Sequence, residues 1–293
     1  MQSKMLKIVE KKKIWFCISL AVIIIGIGFM LFKGLNFGID FKGGTKVILA
    51  YEDGFNKEEA DKIVKEYIVD AVTNTIGENQ YEIKSSKLDS DALEKAFEDL
   101  KENESVTEMV SEEAVGASVG SDLTKTSIIA LSVAFIAMLA YIAFRFEFRF
   151  GIAALMALMH DVLITLSIYA VFNVTINTPF IAAILTIIGY SINATIVIFD
   201  RIRENSKGLR RSNVEEVVNK SISQTMARSI NTTITTLFTI GAVLLFVPSV
   251  RIFSFPITVG ILTGTYSSIF IAPSLYCVIK NKFSGKKKVS VAK

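Results

Sequence analysis

Apolar residues along the chain form six long runs, each 18 to 25 residues in length. At a rise of about 1.5 Å per residue, a helix of this length crosses a hydrocarbon core of about 30 Å. The hydrophobic fraction of 51% is likewise typical of a polytopic membrane protein. The predicted transmembrane helices are residues 14–32, 127–144, 151–172, 180–199, 226–247 and 255–279.

Residues 35–121, between the first two spans, have the mixed pattern of a small folded domain. Apolar alternation and β-forming residues predict strands, and apolar residues at helical spacing predict two helices. The predicted elements are a strand-like run at 37–45, strands at 46–51, 82–86 and 105–110, and helices at 57–72 and 91–102. This order favours an α+β domain of the ferredoxin-like kind. Gly43 and Gly44 are not a phosphate-binding loop, because neither GK[ST] nor GxGxxG surrounds them.

Charge predicts the orientation in the membrane. Residues 35–121 hold 20 acidic residues, nine lysines and no arginine, so they carry −11 while the whole chain carries +4. Lysine and arginine concentrate in the N-terminus (1–13), the loop 200–225 and the tail 280–293. The positive-inside rule therefore places both termini in the cytoplasm and the acidic domain outside. The first span has no clear small-residue cleavage site and is read as an uncleaved helix rather than a signal peptide.

The loop 200–225 contains a short amphipathic segment, residues 213–222. Its apolar residues recur at i, i+3, i+4 and i+8, which predicts a helix lying at the membrane surface. Contact with a partner on the cytoplasmic face is the alternative.

A polar stripe interrupts the fourth span. Thr186, Tyr190 and Asn193 fall within about 60° of one another on a helical wheel, with Gly189 beside them. Polar groups at membrane depth are costly in lipid, so this face is expected to point into a bundle or a wet cavity. Hydrogen bonding between helices without any transport role is the alternative. The span ends in a charged segment that holds Asp200, Arg201 and Arg203.

Arg228 stands at the start of the fifth span, and Thr232, Thr235 and Thr239 continue one face of the same helix. A cation followed by hydroxyl groups is a candidate for an ion-responsive path. The alternative is that Arg228 extends to the membrane interface and that the threonines bond to their own backbone carbonyls.

His160 and Asp161 lie near the middle of the third span. An ionised carboxyl group there costs about 2.5–3.5 kcal/mol on insertion scales, so an intramembrane acid is a functional candidate by default. His160, the only histidine of the chain, is a candidate proton relay or a buried neutral imidazole with a hydrogen-bond partner.

Other chemistry is not indicated by the sequence. Cys17 and Cys277, the only cysteines, lie in apolar runs and support neither a disulfide framework nor a metal site. Gly260 and Gly264 form a GxxxG pattern that close helix packing explains. No nucleophile–base pair, metal-ligand cluster or nucleotide loop is present, so neither an enzyme nor a cofactor is expected.

Six motifs, in order along nearly the whole chain, resemble those of the SecD/SecF family of bacterial protein-export subunits, relatives of the RND transporters. They are FGIDFKGGT (37–45, which includes Asp40), VGASVGSDL (115–123), FRFEFRFG (144–151), ALMHDVLIT (157–165), LTIIGYSINATIVIFDRIREN (185–205) and QTMARSINTTITTL (224–237). The resemblance implies six spans packed against six from SecD, action next to the SecYEG channel on an exported unfolded polypeptide, and use of an ion gradient. It also implies a bacterial cytoplasmic membrane location, with membrane lipid as surroundings.

The chain departs from the family pattern at two positions. Ala117 replaces a proline, which relaxes the backbone there. Ala194 replaces the aspartate of SIND, the acid linked to ion coupling in the family, whereas the family's arginine is kept at Arg228. Helical rise predicts that Ala194 and Arg228 lie within about 5 Å of the same depth. Arg228 is expected to pair with a SecD carboxylate, with Asn193 and Tyr190 along the path; Asp161 is the other candidate acid.

Two other classes of function stay open at this point. One is an RND-type small-molecule efflux half-transporter, although such proteins are expected to carry two six-span repeats. The other is a passive scaffold that only stabilises the export complex.

Overall fold

A computed structural model describes residues 6–77, 79–86, 89–207 and 214–285. The chain divides into two compact units. The bundle unit comprises residues 1–36, 130–174 and 179–293, and the α+β unit comprises residues 37–129 and 175–178.

Long helices form the bundle unit because their apolar runs hold few prolines, Pro256 within α9 and Pro273 near the start of α10. They are α1 (Lys12–Lys33), α5 (Ala117–Arg145), whose first part belongs to the α+β unit, α6 (Phe148–Val171), α7 (Thr178–Ser206), α8 (Val214–Phe246), α9 (Arg251–Tyr266) and α10 (Ala272–Gly285). A π-helical turn, Ser267–Ile271, joins α9 to α10 without a break. The described residues contain six helical segments that are long and apolar enough to cross a membrane, which confirms the predicted six-helix membrane fold.

The α+β unit is built on a four-stranded antiparallel sheet in the order β2-β3-β1-β4. Its strands are β1 (Gly44–Tyr51), β2 (Val72–Ile76), β3 (Gln80–Ser85) and β4 (Val106–Val115), with helices α3 (Lys57–Tyr67) and α4 (Ser90–Asn103) between them. The order βαββαβ with β1 and β3 in the centre is that of a split βαβ fold, as the ferredoxin-like prediction requires. Apolar residues of both helices and of the sheet, such as Val64, Leu100 and Tyr81, form one core.

Two details of the predicted α+β unit were wrong. The run at 37–45 is not a strand: Ile39–Lys42 form one helical turn, α2, and β1 begins only at Gly44. The strand β2, Val72–Ile76, was missed: the predicted helix ended at Val72, and residues 73–76 were assigned to no element. Its polar residues at 73–75 hide the alternation that marks a strand with one buried face.

Gly43 and Gly44 are required by local geometry. Both have positive φ angles, +76° and +130°, which strain other residues. A Cβ atom on Gly43 would lie 2.9 Å from Cα of Ala117, and one on Gly44 would lie 2.4 Å from the carbonyl oxygen of Ser85. The glycine pair therefore lets the chain turn from α2 into β1 while its backbone touches two other segments.

Asp40, in the same turn, accepts a hydrogen bond of 2.7 Å from the backbone N–H of Thr178, the first residue of α7. The first N–H groups of a helix have no partner inside it, so a carboxylate at that point satisfies one of them and interacts well with the helix dipole. Asp40 is thus a helix-capping residue.

The predicted surface helix at 213–222 is wrong as a separate element. Asn213 lies outside the described residues, and residues 214–222 form the first turns of α8, continuous with the fifth span. Val218 and Ile222 are fully buried. Oδ1 of Asn219 accepts hydrogen bonds of 3.0 Å from the N–H groups of both Ile8 and Val9. Asn219 thus bonds to the N-terminal segment of this same chain, while Val217 and Val218 line a small cavity with Ile202 of α7 and Tyr276 of α10.

Replacement of Gly44 by alanine is expected to destabilise the sheet of the α+β unit. The backbone strain at φ +130° costs about 1–3 kcal/mol, and the clash with Ser85 adds to it. Hydrogen exchange of the β1 amides in the intact chain should accelerate, whereas Gly116→Ala, where nothing lies within 4 Å of the new Cβ, should leave it unchanged. Equal exchange rates in the two variants would contradict this assignment.

Candidate functional site: an intramembrane polar network and an open polar face

Close packing of α1 on α6 brings together polar side chains of the buried part of the site. A Cβ atom on Gly26 would lie 2.1 Å from Cβ of Ser167, so the two helices nearly touch there. Seven residues earlier on each helix, Ser19 meets His160 at 2.9 Å. The two helices thus run parallel and in register over two turns, and the glycine allows the approach that brings these polar groups together.

The GxxxG pattern of α9 acts in the same way on α7. A Cβ atom on Gly260 would lie 2.1 Å from Cγ1 of Ile187, and one on Gly264 would lie 3.0 Å from Cβ of Ser191. Close packing, the role predicted for these glycines, is therefore observed, and it places Ser191 at the centre of the bundle.

Asp161 lies where these helices meet. Its side chain is 1% exposed, and its Oδ2 accepts hydrogen bonds from Ser191 Oγ at 2.5 Å and from Ser267 Oγ at 2.8 Å. Its Oδ1 lies 3.0 Å from Nδ1 of His160. An acid that α6, α7 and the π-helical turn all satisfy can remain in a membrane bundle without contact with water.

His160 continues the network towards α1. Its Nε2 lies 2.9 Å from Ser19 Oγ, which is itself 3.5 Å from the hydroxyl of Tyr266. Tyr266 donates a hydrogen bond of 2.9 Å to the backbone carbonyl of Trp15. The buried polar network is defined by these side chains: Ser19, His160, Asp161, Ser191, Tyr266 and Ser267.

A second group of polar residues lies on an open face of the bundle. An open cavity of about 90 Å³ lies between α7, α8 and α9. Its lining residues are Tyr190, Asn193, Ala194, Val197, Arg228, Ser229, Thr232, Thr233 and Thr265. Ala194 and Arg228 thus share one cavity, as their predicted depths suggested.

Arg228 has an exposed side chain and no ion-pair partner among the residues that the structure describes. Asn193 and Thr186 are exposed on the same side of α7. Tyr190 is the member of the stripe that bonds to another helix: its hydroxyl donates a hydrogen bond of 3.3 Å to Thr233 of α8. Of the two surroundings predicted for the stripe, a bundle or a wet cavity, Tyr190 and Asn193 have an open cavity at the surface of this chain. We call this surface the open polar face: Thr186, Tyr190, Asn193, Arg228 and Thr232.

The threonines of α8 bond to their own helix. Thr232 donates to the carbonyl of Arg228 at 2.8 Å, Thr235 to that of Asn231 and Thr239 to that of Thr235. This is the alternative that the sequence left open for them, and these hydroxyls lower the cost of a polar helix surface in lipid. Gly189 has open space around its Cα, so close packing inside this chain does not explain it.

The charged end of α7 is held by neighbouring helices. Asp200 pairs with Arg203 at 3.0 Å and with Arg145 at 3.6 Å. Nε of Arg201 donates to Gln224 of α8 at 2.7 Å. These contacts fasten the ends of α5, α7 and α8 to one another and give the three charged motif residues a structural role.

Sequence reasoning and structure differ in how the candidates are grouped. His160 and Asp161 bind each other and do not line the cavity that holds Arg228, Asn193 and Tyr190. Ser19, Ser191 and Tyr266 were missed as partners, because their importance depends on contacts between distant parts of the chain. The spacing of seven residues from Ser19 to Gly26 in an otherwise apolar span is a signal that could have found the first of them.

Family comparison identifies two matching regions. Residues 94–282 match the family described as "Protein export membrane protein SecD/SecF, C-terminal", and residues 28–54 match the "SecD/SecF GG Motif". The chain is 36% identical to protein translocase subunit SecF of Sebaldella termitidis over 98% of both chains. It is 38% identical to protein translocase subunit SecDF of Thermus thermophilus, over 87% of this chain and 36% of that longer protein.

Solved structures agree with these relatives. The crystal structure of SecDF from Thermus thermophilus, described as a translocon-associated membrane protein, superposes on 95% of this chain with a TM-score of 0.88 and 35% identity. A second SecDF structure, in the super-membrane-facing form, superposes on 97% with a TM-score of 0.73. The chain corresponds to 39% and 40% of those two chains.

Proposed function

Because the chain belongs to the SecD/SecF family of protein export membrane proteins, we propose that it works as the SecF-like subunit of a protein translocase, in a heterodimer with SecD. Two of the matched relatives are protein translocase subunits SecF of nearly the same length, and a longer one is named protein translocase subunit SecDF. They favour this reading over an RND-type efflux half-transporter. As a multi-pass protein of the bacterial cell membrane, the chain would act next to SecYEG without catalysing a reaction.

The observation that carries the proposal is the open polar face. An arginine and an asparagine at membrane depth are costly against lipid tails, and the exposed arginine has no acid beside it among the described residues. A second membrane subunit with a carboxylate at the same depth would remove that cost. We therefore assign the open polar face to SecD, and Arg228 to an acidic side chain of SecD.

Asp161 cannot serve as that acid in the arrangement observed. Both of its oxygens are engaged inside the bundle, by Ser191, Ser267 and His160. An acid from the other subunit is therefore the better partner for Arg228, and with Asn193 and Tyr190 it forms the ion-responsive element. The proposal also keeps both termini of the chain in the cytoplasm, as the distribution of lysine and arginine favours.

Purification in a mild detergent tests the heterodimer directly. The tagged chain is expected to recover SecD, and in membranes rich in the channel also SecYEG. Thr186→Leu with Asn193→Leu should reduce recovery of SecD, because it removes polar contacts from the open polar face. Ile136→Leu, a change on the exposed surface of α5, is the matched control. Failure to recover SecD or SecYEG with the unmodified chain would remove the main support for the proposal.

Replacement of Arg228 by leucine is expected to lower the gradient-dependent part of export by at least about tenfold, while SecD still co-purifies. The change deletes the cation that a SecD carboxylate would pair with, and a buried pair that loses one partner typically costs about 3–5 kcal/mol. The measurement is translocation of a secreted precursor into inverted vesicles, with and without an ionophore. Arg251→Leu is the control, because Arg251 bonds only to the carbonyls of Leu244 and Leu245 at the far end of α8.

The reverse change, Ala194→Asp, is expected to leave export at the level of the unmodified chain or above it. The new carboxylate would enter the cavity that already holds Arg228, so the arginine would balance its charge.

Export that persists unchanged in Arg228→Leu would disprove the pairing. A passive scaffold would instead show no effect of the ionophore in any variant.

The α+β unit is assigned to contact with exported polypeptide or with the outer domain of SecD. It is acidic and small, and its described residues hold no cluster of histidine, cysteine and acid that could bind a metal. Its exchange for an unrelated domain of similar size is expected to abolish the stimulation of export in the same vesicle assay while the bundle still inserts. Preserved stimulation would show that the unit is only a spacer.

A further inference from the structure

The pair His160–Asp161 is separate from the open polar face and has a geometry of its own. Both side chains are buried, 9% and 1% exposed, in the interior of α6. Among the six predicted spans, Asp161 is the only carboxylate. Three donors surround it: the hydroxyls of Ser191 and Ser267 and the imidazole Nδ1.

Without an added proton, this arrangement carries one negative charge. Two serine hydroxyls donate to Oδ2 of Asp161, and the hydrogen on Nδ1 of a neutral His160 faces Oδ1. Nε2 is then an acceptor, and the Ser19 hydroxyl at 2.9 Å donates to it. Every partner is satisfied, but a net charge remains in a low-dielectric interior, where it is costly.

One added proton neutralises the pair without breaking a contact. With Nε2 also protonated, His160 donates to Ser19 Oγ, and the Ser19 hydroxyl turns to donate to the Tyr266 oxygen, 3.5 Å away. Tyr266 can accept this bond because its own hydrogen is directed to the carbonyl of Trp15. The same result holds whether the added proton rests on His160 or is shared with Asp161. Rotation of a single hydroxyl therefore converts one satisfied network into another.

The groups that face the pair do not compete for this proton. The contacts from α1 are the hydroxyl of Ser19 and the backbone of Trp15, and those from α7 and the π-helical turn are serine hydroxyls. The Tyr266 phenol is the titratable group that packs against it from α9, its ring stacked on the imidazole at 6.1 Å.

The hydroxyl groups also form a path to the pair. The path consists of the hydroxyls of Ser19 and Tyr266. Tyr266 lies near the N-terminal end of α1, where it donates to the backbone carbonyl of Trp15, which accepts the bond and passes on no proton. Tyr266 is only partly buried, unlike His160 and Asp161. Hydroxyls that both donate and accept can pass a proton along such a chain.

We propose that His160 and Asp161 form a proton-binding site inside this subunit, loaded from the N-terminal end of α1 through Tyr266 and Ser19. The inference rests on the proposed function for its role, because it adds a second proton locus to an export subunit whose open polar face lacks its own acid. The loaded and empty states differ in which way the Ser19 hydroxyl points, so loading changes the contacts of α1 with α6 and α9. The π-helical turn that begins at Ser267 adds a second adjustable element, since such turns are frequent at functional sites.

The single histidine makes a direct experiment feasible. The full chain, labelled with ¹⁵N-histidine and placed in lipid nanodiscs, has one imidazole to observe. At high pH, the spectrum is expected to show a hydrogen on Nδ1 and none on Nε2, the reverse of the tautomer that free histidine prefers. On acidification, Nε2 is expected to gain a hydrogen while the backbone spectrum away from α1, α6 and α9 is unchanged.

Variants of the network supply the comparison. Ser19→Ala removes the acceptor for the protonated Nε2 and also the donor to the unprotonated Nε2. Because a hydrogen bond to a charged group is the stronger of the two, the ratio of loaded to empty histidine at a given pH is expected to fall about tenfold. Asp161→Asn is expected to lower the ratio further. Ser254→Ala is the matched control, because this fully buried serine bonds only to the carbonyl of Val250. Tyr266→Phe should slow proton exchange at Nε2 without changing the tautomer at high pH.

The outcomes separate this inference from the proposed function. A histidine that keeps one protonation state from pH 5 to pH 9, or an equal response to Ser19→Ala and Ser254→Ala, would overturn the proton site whatever the role of the chain. In the complete complex, His160→Gln is expected to shift the pH dependence of gradient-driven export, with assembly intact. If the pH dependence of export did not shift in His160→Gln although the NMR titration was as expected, His160 and Asp161 would bind a proton that does not serve export. Failure to purify SecD with the chain would contradict the proposed function and leave the NMR result unaffected.

Discussion

The cost of polar groups in hydrocarbon governs the arrangement of this bundle. A carboxylate, an imidazole, an arginine and several hydroxyls all lie within the predicted spans, where hydrocarbon offers a polar group no partner. Two different solutions are visible. Asp161 and His160 are enclosed, with partners on every side, whereas Arg228 and Asn193 are left at an open cavity without an acid among the described residues. The first set needs nothing further to be stable, and the second needs another protein.

Glycines make the enclosed set feasible. Gly26 and Gly264 let backbones approach until a serine on one helix reaches a polar group on the next. Because a Cβ atom at Gly26 would overlap Ser167, a larger residue would separate α1 from α6 and with it Ser19 from His160. Helix packing and the polar network therefore depend on each other. The small residues set the distances between the helices, and the hydrogen bonds favour one register of each helix against the next.

The division between enclosed and open polar groups also divides the functional proposals. In our proposal the open polar face is a surface for SecD, and Arg228 is paired once that subunit is bound. In the further inference the enclosed pair changes charge by binding a proton within this subunit alone, and the Ser19 hydroxyl turns to accommodate it. Because Ala194 replaces the family's aspartate, the open polar face has no carboxylate of its own. The carboxylate that remains inside the predicted spans, Asp161, is enclosed by the bundle.

Much of the architecture was determined by the sequence itself. The number of spans follows from the length of apolar runs, and the α+β unit from a change of period and charge between the first two spans, since both depend on local pattern. Six motifs in order were sufficient to indicate the family. The polar candidates His160, Asp161, Tyr190, Asn193 and Arg228 were visible as polar residues in apolar surroundings.

Only the tertiary structure decided what these residues touch. Local pattern does not show that Ser19 and His160, 141 residues apart, come within 2.9 Å, or that Asn219 bonds to the N-terminal segment. The strand β2 was missed for the same reason, because its place in the sheet depends on pairing with β3 rather than on its own polar sequence. A helical wheel shows that a face is polar, but which neighbour covers it depends on the packing of all the helices, and that packing separates Asp161 from Arg228.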